Sequence, residues 1–217
     1  MTNTLLTISA SAAVGLCTVQ LARLSGFKVV ATASPHNFSL VKDYGATEVI
    51  NYKDAGVVQK VKEVTGDTIK NALDAISERE TQPITVDSIA PSGGKVVVLL
   101  RPATDVIARK DVEVIRTIHY FGMAEALLLT GPSSDTLLYT ALGRAFDFGP
   151  DTQYPASLED KAQIVQFLKK LPQLVLEGAV KPLPVKLWEG GLEAIPDGLQ
   201  YMREGKVSAE KIVYRLQ

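Results

Sequence analysis

The stretch that decides the fold is Leu5-Leu-Thr-Ile-Ser-Ala-Ser-Ala-Ala-Val-Gly15. Its first part, Leu5 to Ile8, is a short apolar run that predicts a buried β-strand. A turn of small residues follows, and then apolar side chains at helical spacing, with Val14 and Cys17 on one face, run as far as Gly26. This spacing predicts a helix with Cys17 in the core. A strand that enters a helix through a tight turn is typical of the first βα unit of a parallel sheet.

The same alternation of strand and helix patterns continues for about a hundred residues. Further β-rich runs occupy 28–33, 48–52, 72–76 and 95–100, and helical patterns separate them. Asn37 stands where the helix after the second strand begins, so we expect it to cap that helix. Five βα units with right-handed crossovers predict an α/β fold with a doubly wound, Rossmann-type parallel sheet.

The second half of the chain is less regular. Residues 112–119 predict a sixth strand, and the apolar spacing from Leu158 predicts a long helix that contains Pro172. We therefore divide the sequence into a Rossmann-type core (1–120), an inserted, irregular cleft segment (121–157) and C-terminal helices and closing strands of the same domain (158–217).

Composition narrows the range of functions. The 217 residues are 46% hydrophobic and 22% charged, with a net charge of −1, which gives no basic surface for nucleic acid or an anionic membrane. No apolar run is long enough to span a bilayer, and the N-terminus has no basic region, so we expect a cytoplasmic protein. Cys17, His36 and His119 are the only Cys and His residues, too few for a typical zinc site, so we expect no metal.

The turn between the first strand and helix, residues 9–15, is the first candidate site. Small side chains there let the backbone approach a diphosphate, which the free N–H groups of the helix N-terminus would stabilise. However, only Gly15 is glycine, and close packing of helix on strand also requires small residues. Phosphate binding and simple packing both fit the turn.

The end of the second strand is the second candidate site. An Asp or Glu usually holds a free ribose 2′-hydroxyl at this place, but Ser34-Pro35-His36-Asn37 contains no carboxylate. Three hydrogen-bonding side chains suit a 2′-phosphate, and Tyr52 after the third strand adds a hydroxyl. An ordinary helix cap and turn with an exposed histidine fits the same residues.

Several segments together resemble one family. They are Ser11-Ala-Ala-Val-Gly15 with Gln20, Ser34-Pro-His-Asn37, Tyr44-Gly-Ala46, Asn51-Tyr52, Ala72-Leu-Asp-Ala-Ile-Ser77, Ser92-Gly-Gly-Lys95, Glu189-Gly-Gly-Leu-Glu193, Gly205-Lys-Val-Ser208 and Glu210-Lys-Ile-Val-Tyr-Arg215. The chain resembles the medium-chain dehydrogenase/reductases, and among them the zinc-free, NADPH-dependent trans-acting enoyl reductases of fungal polyketide synthases. The resemblance implies NADP(H) as cofactor, a small-molecule or carrier-bound polyketide as substrate, a polyketide synthase as partner and a homodimer through the sixth strand.

The resemblance also implies roles for individual residues. The cofactor residues would be Ser11, Ala12, Ala13 and Val14 at the diphosphate, Ser34, Pro35, His36, Asn37 and Tyr52 at the 2′-phosphate, Leu99 and Leu100 at the nicotinamide, and Ile212 and Val213 closing the cleft. The substrate residues would be Tyr139, Thr140, Ala141, Leu142 and Gly143. No Ser/His/Asp set or paired carboxylates suggest hydrolysis, and we assign no catalytic residue; we interpret Asp74 as structural.

Three departures from the family pattern keep other functions open. The sequence begins at the first strand, where the family has a preceding β-rich substrate domain; Ser9-Ala10 stands for a Gly-Gly pair; and residues 121–138 look inserted. An enoyl reductase with a truncated substrate site, a cofactor-independent polyketide cyclase or isomerase that uses the vacated cleft, and a non-catalytic binding module are therefore the three hypotheses.

Overall fold

A computed structural model describes residues 3–116, 141–147 and 153–216. Six parallel strands form its main sheet: β1 (Thr4–Ile8), β2 (Lys28–Ala33), β3 (Glu48–Asn51), β4 (Asn71–Asp74), β5 (Gly94–Val98) and β6 (Val112–Arg116). Their order across the sheet is β3-β2-β1-β4-β5-β6. This is the doubly wound arrangement, so the predicted α/β fold class is confirmed.

Four helices connect the first strands: α1 (Ala13–Leu24), α2 (Phe38–Asp43), α3 (Val57–Thr65) and α4 (Thr81–Asp87). Apolar side chains point alternately to the two faces of β1. Leu6 packs into a cluster with Val61 of α3, whereas Leu5 packs into another with Leu16 of α1. The sheet is thus covered on both faces, which is why its strands read as nearly continuous apolar runs.

The C-terminal elements form a separate layer of structure. They are the antiparallel pair β7 (Phe146–Asp147) and β8 (Gln153–Tyr154), then α5 (Leu158–Leu176), β9 (Val185–Trp188), α6 (Ile195–Arg203) and β10 (Lys211–Tyr214). Ser157 caps α5 by accepting a hydrogen bond from the Asp160 N–H at 3.1 Å, and α5 continues through Pro172. β9 and β10 pair in parallel in their own two-stranded sheet.

Hydrogen bonds fasten this layer to two helices that flank the main sheet. The Gln20 amide accepts from the Lys181 N–H at 2.6 Å and donates to the Lys181 carbonyl at 3.2 Å. The Tyr44 hydroxyl donates to the Pro182 carbonyl at 2.5 Å. The loop between α5 and β9 is therefore fixed on α1 and on the C-terminal end of α2.

The predicted inward face of α1 is wrong. Cys17 is exposed rather than part of the core, and the buried residues of the helix include Leu16, Val19 and Ala22. The reason is that α1 carries apolar residues on nearly all sides, so the pattern does not fix its rotation. The buried polar residue Thr18 adds no penalty because its hydroxyl donates to the Val14 carbonyl at 2.8 Å.

The predicted cap at Asn37 is also wrong. A short 3₁₀ turn, Pro35–Asn37, precedes α2, and the Asn37 side chain makes no capping hydrogen bond. Its amide donates instead to the Ser208 hydroxyl at 3.0 Å. A partner so distant in sequence is invisible to a local pattern.

Some expectations concern residues beyond the described ranges. His119 and the 121–138 insertion lie there, and the three-part division at 120 and 157 stays a prediction. Within the described ranges no helix has the length and apolar character needed to cross a lipid bilayer.

Candidate functional site

The carboxyl ends of the parallel strands meet at one edge of the sheet. The strand order reverses between β1 and β4, because β2 lies on one side of β1 and β4 on the other. Ligands of open α/β sheets bind in the crevice outside the carboxyl ends at this kind of switch point. The turns after β1, β2, β4 and β5 therefore define the candidate site.

The turn after β1 is held rigidly against β2. The Ser9 N–H donates to the Thr32 hydroxyl at 3.0 Å, and the Ala10 N–H donates to the Thr32 carbonyl at 2.8 Å. Ser9 has a φ of 57°, in the left-handed region that favours glycine. A Cβ added at Gly15 would lie 2.5 Å from the Cα of Ala10, so α1 touches the turn backbone to backbone.

The N-terminus of α1 is open to an anion. Ala12 occupies the N-cap position, where no side chain makes a capping hydrogen bond, and the first turn of α1 contains no acidic residue. The first N–H groups of a helix have no intrahelical partner, and they carry the positive end of the helix dipole. Ser11 and Ala12 are half-buried and Ala13 is exposed, whereas Ser9 and Ala10 are buried, so the Cβ atoms of the Ser9-Ala10 pair pack inside the protein.

The end of β2 gains a residue from the C-terminal tail. The Ser208 hydroxyl lies 2.9 Å from His36 Nε2 and 3.0 Å from the Asn37 amide nitrogen. Ser208 joins this polar cluster, although sequence analysis assigned no site role to it. The only signal was its position in the Gly205–Ser208 segment of the family resemblance.

Tyr52 and Lys53 follow β3, whose last residue Asn51 pairs with Ala33 at the end of β2. Tyr52 is 38% exposed after β3, and the Lys53 ammonium lies 5.7 Å from the centre of its ring. Residues 34–37 carry no carboxylate. The polar, carboxylate-free end of β2 suits a phosphate better than a ribose hydroxyl.

A buried network organises the ends of β4 and β5. Asp74 is fully buried, and its carboxylate accepts hydrogen bonds from the Ile76 and Ser77 N–H groups at 3.1 and 2.7 Å and from the Thr81 hydroxyl at 2.6 Å. Burial nevertheless raises the pKa of Asp74, and these hydrogen bonds oppose the rise. The geometry fits the structural interpretation of Asp74.

The Ser77 hydroxyl carries this network to the next strand. It accepts from the Leu99 N–H at 2.7 Å, which fixes the chain where β5 ends. Leu99 is half-buried and Leu100 is 53% exposed. Both lie at the carboxyl edge of the sheet, as their predicted role beside the nicotinamide requires.

The other predicted residues are more dispersed. Ile212 and Val213 lie in β10, opposite Lys186 and Leu187 of β9. Ala141 and Leu142 form a short 3₁₀ turn, and a Cβ at Gly143 would lie 2.5 Å from the Lys161 side chain of α5. Tyr139 and Thr140 lie outside the described residues. The role of Ile212 and Val213 at the cofactor and that of residues 139–143 at the substrate stay predictions.

The family described as "Zinc-binding dehydrogenase" matches residues 13–123, which is more than half of the chain. The chain belongs to the zinc-binding dehydrogenase family. The match covers the segment from α1 through β6, and so includes the helix N-terminus and the end of β2. Among the described residues, no group of three or more His, Cys, Asp and Glu side chains is placed to hold a metal ion.

The relatives within this family include fungal trans-enoyl reductases, which confirms the resemblance. The trans-enoyl reductase ACTTS2 of Alternaria alternata is 35% identical over 212 residues, 98% of this chain and 54% of that protein. The trans-enoyl reductase eqxC of Fusarium heterosporum is 31% identical over 95% of this chain and 53% of its own length. The chain thus spans about half the length of these curated relatives.

Solved structures confirm the fold. The CurF ER cyclopropanase of the curacin A biosynthetic pathway matches 100% of this chain and 55% of its own, with a TM-score of 0.66 and 22% identity. CurA of Vibrio vulnificus, solved in complex with NADPH, matches 100% of this chain and 57% of its own, with a TM-score of 0.64 and 16% identity.

Proposed function

We propose that the chain binds NADP(H) at the carboxyl edge of its sheet and reduces the enoyl group of a polyketide intermediate. The observation that carries the proposal is the pairing of an uncapped helix N-terminus at the switch point with a carboxylate-free cluster at the end of β2. The names of the fungal relatives support the reaction class, and the NADPH complex of CurA supports the cofactor.

Each part of the site has a defined task in this proposal. The N–H groups at the start of α1, beside Ser11 and Ala12, bind the diphosphate. Ser34, His36 and Asn37 surround the 2′-phosphate together with Tyr52 and Ser208. Leu99 and Leu100 present an apolar surface to the nicotinamide and exclude water from it. When bound, the cofactor supplies the hydride for the unsaturated carbon.

Enclosure of the reacting carbon is the remaining requirement. Hydride transfer requires that the two reacting carbons lie within about 3–3.5 Å of each other and are shielded from water. Leu100, on the surface proposed for the nicotinamide, is 53% exposed, so something else has to cover it. We propose that the acyl chain of a substrate delivered by a carrier protein covers this surface. In the described part of the chain β6 is one of the two outer strands of the main sheet, and we propose that a homodimer pairs there.

Calorimetric titration of NADPH into the full chain tests the proposal. We expect saturable binding that is lost when Ala13 is changed to Asp, because a carboxylate at the helix N-terminus takes the place of the diphosphate. Lys42→Asp, on the exposed side of α2, introduces the same side chain away from the turn and is the matched control. Oxidation of bound NADPH by an α,β-unsaturated thioester then tests the reduction.

The opposite outcome points to the other hypotheses. If no heat is released up to millimolar NADPH by a folded chain, the proposal is wrong. A linear polyene converted to a product of equal mass without cofactor would then favour the cyclase or isomerase. Neither binding nor conversion would favour the non-catalytic binding module.

A further inference from the structure

A groove of about 620 Å³ lies between the outer face of α1 and helix α5. Cys17 and Leu21 of α1, Phe167 and Leu171 of α5, and Leu183 of the following loop contribute to its walls. The volume falls within the range of small-molecule sites, about 300–1,000 Å³. The groove adjoins the switch-point site at Ala13 and Val14 and runs from there along the side of α1 towards Leu21.

The groove is built from fixed parts of the chain. One wall is α1, whose opposite side is packed on the main sheet. The paired hydrogen bonds between Gln20 and Lys181 and the bond from Tyr44 to Pro182 hold the loop that closes the groove. The α1 wall and the closing loop of the groove are therefore held by contacts within the chain.

The charge along the groove has one sign. Its lining includes Lys181 and Lys211 but no Asp or Glu. Lys181 donates to the Asp43 carbonyl at 3.0 Å, which places its ammonium at the rim beside α2. Within the described part of the chain, no carboxylate lies within 4 Å of the exposed Lys211 ammonium. An apolar trough with a lysine at its edge complements an apolar chain that ends in an anion.

We propose that this groove binds a linear fatty acyl chain through its hydrocarbon part, with the terminal carboxylate at Lys211. The hydrocarbon lies along Leu21, Phe167 and Leu171, where it removes apolar surface of both molecules from water. The groove shares Ala13 and Val14 with the proposed diphosphate site at one end, but the acyl chain is placed along the other lining residues, and the proposal does not depend on NADP(H) binding.

Cys17 provides the readout, because it is the only cysteine of the chain and lies in the groove wall. Alkylation by N-ethylmaleimide, followed by intact mass, therefore reports on one position. The groove walls partly desolvate the thiol and raise its pKa, while Lys211 opposes this rise, so the reaction is followed at mildly alkaline pH. Protection is expressed as the ratio of rates with and without ligand, within each variant.

We expect hexanoate, octanoate and decanoate to protect Cys17 with increasing affinity, about threefold to fourfold for each methylene buried. Decanol should protect at least about fivefold less well than decanoate, and Lys211→Met should remove this difference. Leu171→Glu should abolish protection, whereas Leu168→Glu, on α5 but outside the groove, should leave it unchanged. Binding of NADPH should be the same in the Leu171→Glu and Leu168→Glu variants.

Four results would overturn the proposal. Equal protection by decanol and decanoate would show a purely apolar site. Protection only at micelle-forming concentrations, or equal loss in Leu168→Glu and Leu171→Glu, would show adsorption without a defined groove. In the fourth result, Cys17 fails to react in the ligand-free protein until a dimer is diluted into monomers. That result would assign the groove to a second copy of the chain.

Discussion

Replacement of Gly15 by alanine tests the close contact on which the candidate site is built. The new Cβ would lie 2.5 Å from the Cα of Ala10 and 2.7 Å from its carbonyl carbon and oxygen. Ordinary contacts begin near 3.4 Å, so α1 would have to retreat by roughly 1 Å from the turn. Overpacking of this kind costs about 1–3 kcal/mol, and a clash with backbone atoms belongs at the upper end of that range.

Thermal unfolding, followed by circular dichroism or calorimetry, measures this cost. For a chain of this length we expect Gly15→Ala to lower Tm by about 4–10 °C. Gly56→Ala is the matched control, because no atom lies within 4 Å of its added Cβ and its φ of −110° suits alanine. Ala10→Gly should not rescue the variant, since the clash involves only backbone atoms of Ala10. A Gly15→Ala protein as stable as the wild type would refute the packing of α1 on the turn.

Four further predictions concern stability. Asp74→Ala should lower the free energy of unfolding by about 3 kcal/mol, because it leaves the buried Ser77 N–H and the part-buried Ile76 N–H without their acceptor. Asp74→Asn should cost less, because its amide oxygen still accepts from both N–H groups. The raised pKa of Asp74 means that the folded chain holds the carboxyl proton more tightly than the unfolded chain does. The contribution of this proton to stability is therefore complete below the ordinary pKa of 3.8 and is lost as the pH rises through the folded pKa. Denaturant titrations over this pH interval should show the loss in the wild type and not in Asp74→Asn, and an equal dependence of the free energy of unfolding on pH in both proteins would contradict the prediction. Tyr44→Phe should lower the free energy of unfolding by about 1 kcal/mol and speed alkylation of Cys17, because the loop at Pro182 loses its hydrogen bond, whereas unchanged values would show that this bond does not hold the loop. Ser9→Gly should raise the free energy of unfolding by about 0.5 kcal/mol, because relief of the left-handed strain exceeds the added chain entropy, and a destabilised variant would contradict a strained Ser9.

Local patterns were sufficient to predict the fold. Apolar runs such as 28–33 and 95–100 marked the strands of a sheet covered on both faces, and the intervening helical patterns implied parallel crossovers. One of these helical patterns became α3, which ends at Gly66 in the left-handed conformation that favours glycine. These features depend on residues that are neighbours in the sequence.

The errors arose where distant residues decide the outcome. The rotation of α1 is set by the packing of Leu16 and Val19 with residues of β2 such as Val29, so an all-round apolar pattern placed Cys17 on the wrong face. Asn37 turns away from its helix because Ser208, from the tail, offers its hydroxyl. The groove between α1 and α5 likewise requires Gln20 and Lys181 to meet across most of the chain. Neither periodicity nor capping rules contain such pairs.

The most direct test of the central claim is the ratio of the affinities for NADPH and NADH in the wild type and in His36→Asp. The claim is that the end of β2, with His36, Asn37 and Ser208, recognises a 2′-phosphate. We predict that the wild type prefers NADPH by at least about tenfold, since charge-assisted hydrogen bonds contribute about 1.5–3 kcal/mol. His36→Asp should reverse or abolish this preference, because a carboxylate repels the phosphate and accepts from a free ribose hydroxyl. Equal affinities of the wild type for the two cofactors, or no binding of either, would contradict the account.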